Sequence, residues 1–244
     1  MTATTENRIC LWSGPRNVST ALMYSFAQRP DCLVIDEPLY GHYLKVTEVQ
    51  HPGQEQVMAH VNLDGPSIVE EICHHSYAKP VVFIKNMAHH LVDLDFAFLN
   101  HLNNFLLIRD PREMLPSIVK QIPNPVMRDT ALKRQWEIYQ ILSDQNHGPL
   151  VVDSKDLLLN PSVMLEKICK KLGIAYYPEM TSWKAGPIPE DGIWAKYWYH
   201  SVHKSTGFQP YQAKEEPVPA HLLDLHEECQ HYYQLLLSQA LRVD

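Results

Sequence analysis

The stretch CLWSGPRNVSTALMYSF, residues 10–26, passes from an apolar strand-like segment through a Gly-Pro-Arg-Asn turn into an apolar helix-like one. A glycine turn that enters a helix presents backbone amides with no intrahelical partner, and the helix dipole adds partial positive charge there. The junction from Ser13 to Thr20 therefore reads as an anion cradle, with Arg16 as a permanent cation and Ser19 and Thr20 as neutral donors. A nucleoside-triphosphate kinase would carry GxxxxGK[ST] at this place. Here Val18 precedes Ser19 and the turn has no lysine, so a kinase becomes the weaker alternative.

Outward from this stretch the chain keeps one rhythm. Apolar runs rich in strand-forming residues lie at 9–12, 32–35, 81–84, 105–108 and 150–152, and helical segments fit between them at 18–27, 67–77, 88–99, 111–121, 128–142 and 161–172. Strands alternating with helices predict an α/β fold, a central, mostly parallel five-stranded sheet flanked by helices. Asp110-Pro111 and Asn160-Pro161 read as N-cap and first-turn pairs, because proline has no amide to lose there. Pro116, well inside its helix, should bend it. Polar residues gather where the strands end: Ser13 to Arg16, Asp36-Glu37, Lys85-Asn86, Arg109-Asp110 and Asp153-Ser154. In a parallel sheet these ends share one edge, and ligands bind there.

With 45% hydrophobic and 20% charged residues in 244, the composition is that of a folded globule, and one domain over residues 1–244 is expected. Residues 178–219, rich in Pro, Gly, Trp and Tyr, read as an ordered lid or acceptor-pocket segment. In the last helix, 220–241, Leu222, Leu225, Cys229, Tyr232 and Leu236 recur at helical spacing, the mark of a packing face. A net charge of -7 argues against non-specific nucleic-acid binding, yet leaves room for a local basic pocket. The polar opening MTATTENR lacks the regions of a secretory signal, no apolar run is long enough to span a bilayer, and the five cysteines are scattered. Together these predict a cytoplasmic protein with reduced thiols and no membrane partner.

Four motifs in order resemble those of the sulfotransferases that use 3′-phosphoadenosine 5′-phosphosulfate (PAPS). The first is SGPRNVSTAL after the opening strand. The second is LLIRDPREMLPS, where Ser117 follows Arg109 by eight positions. The third, SKDLLLNPSVMLEKICKKLGI, is similar to the family's EDL…P…L…LGI segment, and IDEPLY is similar to the Glu-Pro-Leu stretch of carbohydrate and bacterial members. The likeness covers about residues 8 to 175. It implies a P-loop-like three-layer sandwich that moves a sulfuryl group from PAPS to a hydroxyl or amine of a small polar metabolite, a cationic or guanidinium-bearing alkaloid being one candidate acceptor. The product would be 3′,5′-ADP, and no metal is expected.

The resemblance implies that Arg16 and the amides of Asn17, Val18, Ser19 and Thr20 hold the 5′-phosphosulfate, while Arg109 and Ser117 grip the 3′-phosphate. The competing reading of Arg109 is a salt bridge with a nearby carboxylate. Glu37, placed by Pro38 at the end of the second strand, matches the family's catalytic glutamate and is the first candidate base, with Asp36 behind it. Its alternative role is a structural ion pair. Lys85 matches a lysine that meets the transferring group. Where the cytosolic relatives carry a basic histidine two residues on, this chain has Met87, so His89 and His90 are the histidines left to reach the acceptor. Lys204 and Gly207 could replace the family's Arg-Lys-Gly cofactor loop, and Trp194, Tyr197, Trp198 and Tyr199 could wall the acceptor pocket. Fourteen histidines raise the question of a metal, but adjacent pairs such as His74-His75 diverge on a helix, so none is expected. A non-catalytic nucleotide-binding module is the remaining rival. It would have to maintain Glu37 and Lys85 beside the anion loop without using them.

Overall fold

The computed structural model describes residues 6–144 and 148–242. All the predicted runs form strands: β1 (Asn7–Ser13), β2 (Cys32–Asp36), β3 (Val81–Met87), β4 (Asn103–Ile108) and β5 (Leu150–Asp153), joined in parallel in the order β2-β3-β1-β4-β5. The runs were legible because a parallel strand covered on both faces is apolar throughout, and every residue of β3 is buried. Successive side chains point to opposite faces. In β1, Ile9 and Leu11 join the core under the helices Ser19–Ala27 and Pro161–Lys171, whereas Cys10 and Trp12 join that under Gly65–His74, Leu132–Asp144 and Leu223–Leu237. The result is a helix-sheet-helix sandwich of P-loop type. Because β1 lies between β3 and β4, the direction of chain progression reverses at β1, which opens a crevice at its C-terminal end.

Several helices differ from expectation. Residues 88–99 are not one helix: two 3-10 turns, Ala88–His90 and Phe96–His101, flank Asp93, whose φ of 48° is left-handed. Ala88 to Leu91 is wholly buried, so the segment has no amphipathic stripe to present. Residues 128–142 break at Ala131 (φ 65°) into Met127–Thr130 and Leu132–Asp144. That break brings the Thr130 carbonyl against Gly14, where a Cβ would lie 2.8 Å from the oxygen, so only glycine fits. The Asp110 side chain accepts from the Arg112 amide as a cap, but Asn160 makes no such bond. Past Pro116 the helix runs only to Ile118. The helices Tyr40–Thr47, Gln54–His60 and Ser154–Leu159 had no counterpart in the sequence reading.

The segment after Pro178 is ordered, with short helices at Pro178–Thr181, Ala195–Trp198 and His200–His203. Tyr24 in the first helix donates to Asp191 Oδ2 at 2.7 Å, and His203 Nε2 lies 2.9 Å from the same oxygen, which pins the segment to the sandwich. In the last helix the deepest residues are Cys229, Tyr233 and Leu236, and the Tyr233 hydroxyl donates to Asp153 at the end of β5. Among the described residues no helix is long and apolar enough to cross a membrane.

Candidate active site

The strand ends open on a cavity of about 560 Å³, within the range of small-molecule sites, roughly 300–1,000 Å³. Its basic end is the loop after β1. Arg16 sits in the left-handed region, φ 54°, and every residue from Gly14 to Ala21 lines the cavity. The helix Ser19–Ala27 begins at Val18, which has no side-chain cap to offer. The amide of Val18 is not free, however: it donates to Asn17 Oδ1 at 2.8 Å, while Asn17 Nδ2 donates to the Leu107 carbonyl and ties the loop to β4. First-turn amides have no intrahelical partner, so those of Ser19 and Thr20 are the ones turned to a ligand.

Arg16, Arg109 and Ser117 come together as one patch. Arg16 Nε donates to Ser117 Oγ at 2.9 Å, and Arg109 Nη1 donates to the Arg16 carbonyl at 2.8 Å. Ser117 is buried, accepts the Arg16 bond and is absent from the cavity wall. Arg109 does line the cavity, but it also makes the salt bridge that the sequence left open: Nη2 lies 3.1 Å from Glu113 Oε2. Lys204 is exposed and off the cavity, while Gly207 lines it. The lysine on this wall is Lys214. Burial, together with the positive charge of Arg109 and Arg16, lowers its pKa. No local motif marks Lys214; it reaches the wall through long-range contacts.

At the other end, Lys85 is buried among oxygens. It donates to Asp36 Oδ1 at 3.0 Å, to the Tyr199 hydroxyl at 2.6 Å and to Glu37 Oε1. Tyr199 in turn donates to Asp36 at 2.8 Å and accepts from Trp194 Nε1 at 3.2 Å, and the Gly192 amide completes Asp36. Burial works to lower the Lys85 pKa, but the two carboxylates outweigh it and hold the ammonium above its ordinary range. Burial raises Asp36, since one ammonium cannot neutralise two carboxylates in a medium of low dielectric. Glu37 adopts φ 40° and is fixed by its amide on the Lys85 carbonyl at 2.7 Å. With Oε1 on Lys85, its Oε2 has no hydrogen-bond donor among the described residues.

His90, rather than His89, lies nearest that oxygen, with Nδ1 3.9 Å away, and its ring stacks on Tyr40 and Tyr43 at centroid distances of 5.1 and 4.8 Å. Burial first, then neighbouring positive groups, holds both histidines well below the usual pKa, so they are neutral near pH 7. Tyr40, Tyr43, His51 and Asp129 complete this end; sequence reading missed the first three because they belong to the unforeseen helix Tyr40–Thr47 and the loop after it, and Asp129 because it lies in the short helix Met127–Thr130 before the break at Ala131. Trp198 and Tyr199 line the cavity, whereas Trp194 is buried edge-on against Tyr40 and Tyr197 packs over Gly53. Among the described residues no group of three or more His, Cys, Asp or Glu is placed to hold a metal ion.

The family profile described as "Sulfotransferase domain" matches residues 7–240, and the chain belongs to that family. Two Arabidopsis thaliana proteins, named branched-chain-amino-acid aminotransferase-like proteins 2 and 1, are each 38% identical over 92% and 93% of the chain. The chain spans about two-fifths of their length (40% and 41%). Among solved structures, the sulfotransferase domain of the Synechococcus PCC 7002 olefin synthase aligns at TM-score 0.54 and 15% identity, covering 93% of this chain and 97% of that one. The sulfotransferase of Alicyclobacillus acidocaldarius aligns at 0.52 and 10% identity, covering 97% and 98%. At such identities the likeness is one of fold, and with the family it supports a transferase.

Proposed function

We propose that this chain transfers a sulfuryl group from PAPS to a hydroxyl or amine of a small polar metabolite and releases 3′,5′-ADP. The observation that carries the reading is the polarity of one cavity. Arg16, Arg109 and Lys214 gather at one end beside an uncapped helix terminus, and Glu37 and Asp129 line the other beside Lys85, with Asp36 buried behind it. The donor set of the basic end fits a phosphorylated nucleotide, because arginine is a permanent fork for phosphate oxygens and first-turn amides add neutral donors. Arg16 with the Ser19 and Thr20 amides would hold the phosphosulfate end, and Arg109 the 3′-phosphate. The donor supplies the activated sulfuryl group.

The protein's share is position and proton transfer. Lys85 occupies Oε1 of Glu37, which lines the cavity, so Oε2 is the atom assigned to take the acceptor's proton. The three protons of Lys85 already serve Asp36, Glu37 and Tyr199, so its part is a fixed positive field beside the reacting groups. His89 and His90, with pKa values held low, are weak bases and serve as neutral walls. The rings of Tyr40, Tyr43 and Trp198 and the Glu37 carboxylate favour a cationic or proton-donating acceptor.

A thermal-shift comparison tests the donor. Stabilisation by 3′,5′-ADP exceeding that by ATP with magnesium is expected, followed by sulfonated products in mass spectra of a metabolite library incubated with PAPS. Stabilisation by ATP with magnesium alone would turn the assignment to a kinase.

A further inference from the structure

One wall of the cavity is the irregular stretch 207–214, every residue of which lines it. Past the single bridge at Gly207 it has no regular structure, so side chains hold it in place. Its hydrogen-bonded and ion-pair anchors converge on the helix Pro111–Ile118 and the residues just after it, while Phe208 packs against Trp183 and Lys155 lies over the Tyr211 ring. The Tyr211 hydroxyl donates to Glu113 Oε1, Lys214 Nζ donates to the Glu113 carbonyl at 3.1 Å, and just beyond the stretch Lys120 pairs with Glu216 at 2.9 Å. The other carboxylate oxygen of Glu113 is the one that holds Arg109 Nη2. A single buried carboxylate thus bridges the arginine and the strap that walls the cavity.

We infer that Glu113 is a built-in competitor for the donor: it occupies the Arg109 fork that the 3′-phosphate would take, and Tyr211 ties its displacement to release of the strap at 207–214. This rests on Arg109 as the 3′-phosphate ligand. Two of the guanidinium nitrogens of Arg109 are already committed, Nη1 to the Arg16 carbonyl and Nη2 to Glu113, and Nε is buried without a partner. An incoming phosphate that takes the Nη1 and Nη2 edge meets the Glu113 carboxylate already on it. It must displace the carboxylate, because two anions on one guanidinium repel each other at contact distance and the low dielectric of the wall strengthens that repulsion. Lys214 Nζ bonds to the Glu113 main-chain carbonyl and not to its carboxylate, so the strap's last residue keeps its bond and its ammonium offsets the charge that arrives. The affinity observed for the donor is then the intrinsic affinity reduced by the fraction of molecules in which Glu113 holds Arg109.

The sign of one substitution separates this from a carboxylate that merely orients Arg109. Binding of 3′,5′-ADP and of 5′-AMP is measured by calorimetry for wild type, Glu113→Gln and Tyr211→Phe. Glu113→Gln should bind 3′,5′-ADP about tenfold more tightly, the factor expected if the pairing is favoured about ten to one, and leave 5′-AMP unchanged. Tyr211→Phe, which frees the carboxylate from its second anchor without altering its charge, should tighten 3′,5′-ADP about threefold, and it decides the matter if Glu113→Gln does not fold. Unchanged or weaker 3′,5′-ADP binding in these variants, with the wild type still preferring it to 5′-AMP, overturns the inference alone. A wild type that binds the two nucleotides equally overturns the donor reading and the inference together.

Discussion

Lys85 is the residue on which the acidic end depends, since its ammonium is the sole charge between two buried carboxylates. Removing one partner of such a cluster costs more than the cluster contributes, because the remaining charges are left without compensation. Lys85→Met should lose about 3–5 kcal/mol in urea unfolding at pH 7.5 and recover part of it at pH 5.5. Burial raises the Asp36 carboxyl in the folded state, and a raised carboxylate adds stability as pH falls through its folded-state value. A variant as stable as wild type at pH 7.5 would show that the three groups do not form a charge cluster. Glu37→Gln tests the neighbouring role: it keeps the shape and removes the proton acceptor. Turnover should drop about a hundredfold with 3′,5′-ADP affinity nearly intact, and a near-normal rate would move the base elsewhere. Arg109→Ala should weaken 3′,5′-ADP by about tenfold or more, the loss of a charge-assisted contact, and 5′-AMP far less; equal losses would remove it from the 3′-phosphate.

At the scale of elements, the segment from Pro178 to His203 docks through buried Met180, Trp183, Trp194 and Tyr199, and Tyr199 carries its bonds to the acidic end. Its hydroxyl joins Lys85, Asp36 and Trp194, so Tyr199→Phe leaves buried donors and acceptors unmatched. About 1–3 kcal/mol of stability should go, together with a fall in kcat larger than the rise in KM, because the displaced group is the field near the base rather than a donor contact. A change confined to KM would make Tyr199 a wall of the pocket only. This contact also marks how far the sequence could be read. The strands were legible from local apolar runs, and the loop after β1 from its glycine turn and arginine. The string from Lys204 to Gly207 is similar to a cofactor loop, so sequence reasoning reaches Lys204 and passes over Lys214. What places Lys214 on the cavity is a bond to the Glu113 carbonyl, 101 positions away, which no local pattern announces. The helix Tyr40–Thr47 escaped for a related reason: its buried Tyr40, Gly41, His42 and Tyr43 are consecutive, so it shows no helical stripe.

Over the whole molecule, folding places His51, His89 and His90 in sites that disfavour their charged forms, and burial is the leading cause for each. The unfolded chain releases these rings to ordinary pKa values near 6.5. Below that pH the unfolded state binds more protons than the folded one, so stability falls as pH falls, by up to about 1.4 kcal/mol per pH unit for each such histidine. Asp36 and Asp153 act in the opposite sense, since burial raises both above 3.8 and the folded state keeps their protons longer. As pH falls, three rings oppose these two carboxylates. Urea midpoints should therefore decline from pH 7.5 through 6.5 to 5.5. His89→Gln, which removes one ring while sparing the His90 contact near Glu37, should flatten that decline by up to one proton's slope. Stability that holds or rises across this interval in the wild type would mean that the rings take up protons within the fold, and that the histidine wall of the cavity carries charge when the acceptor binds.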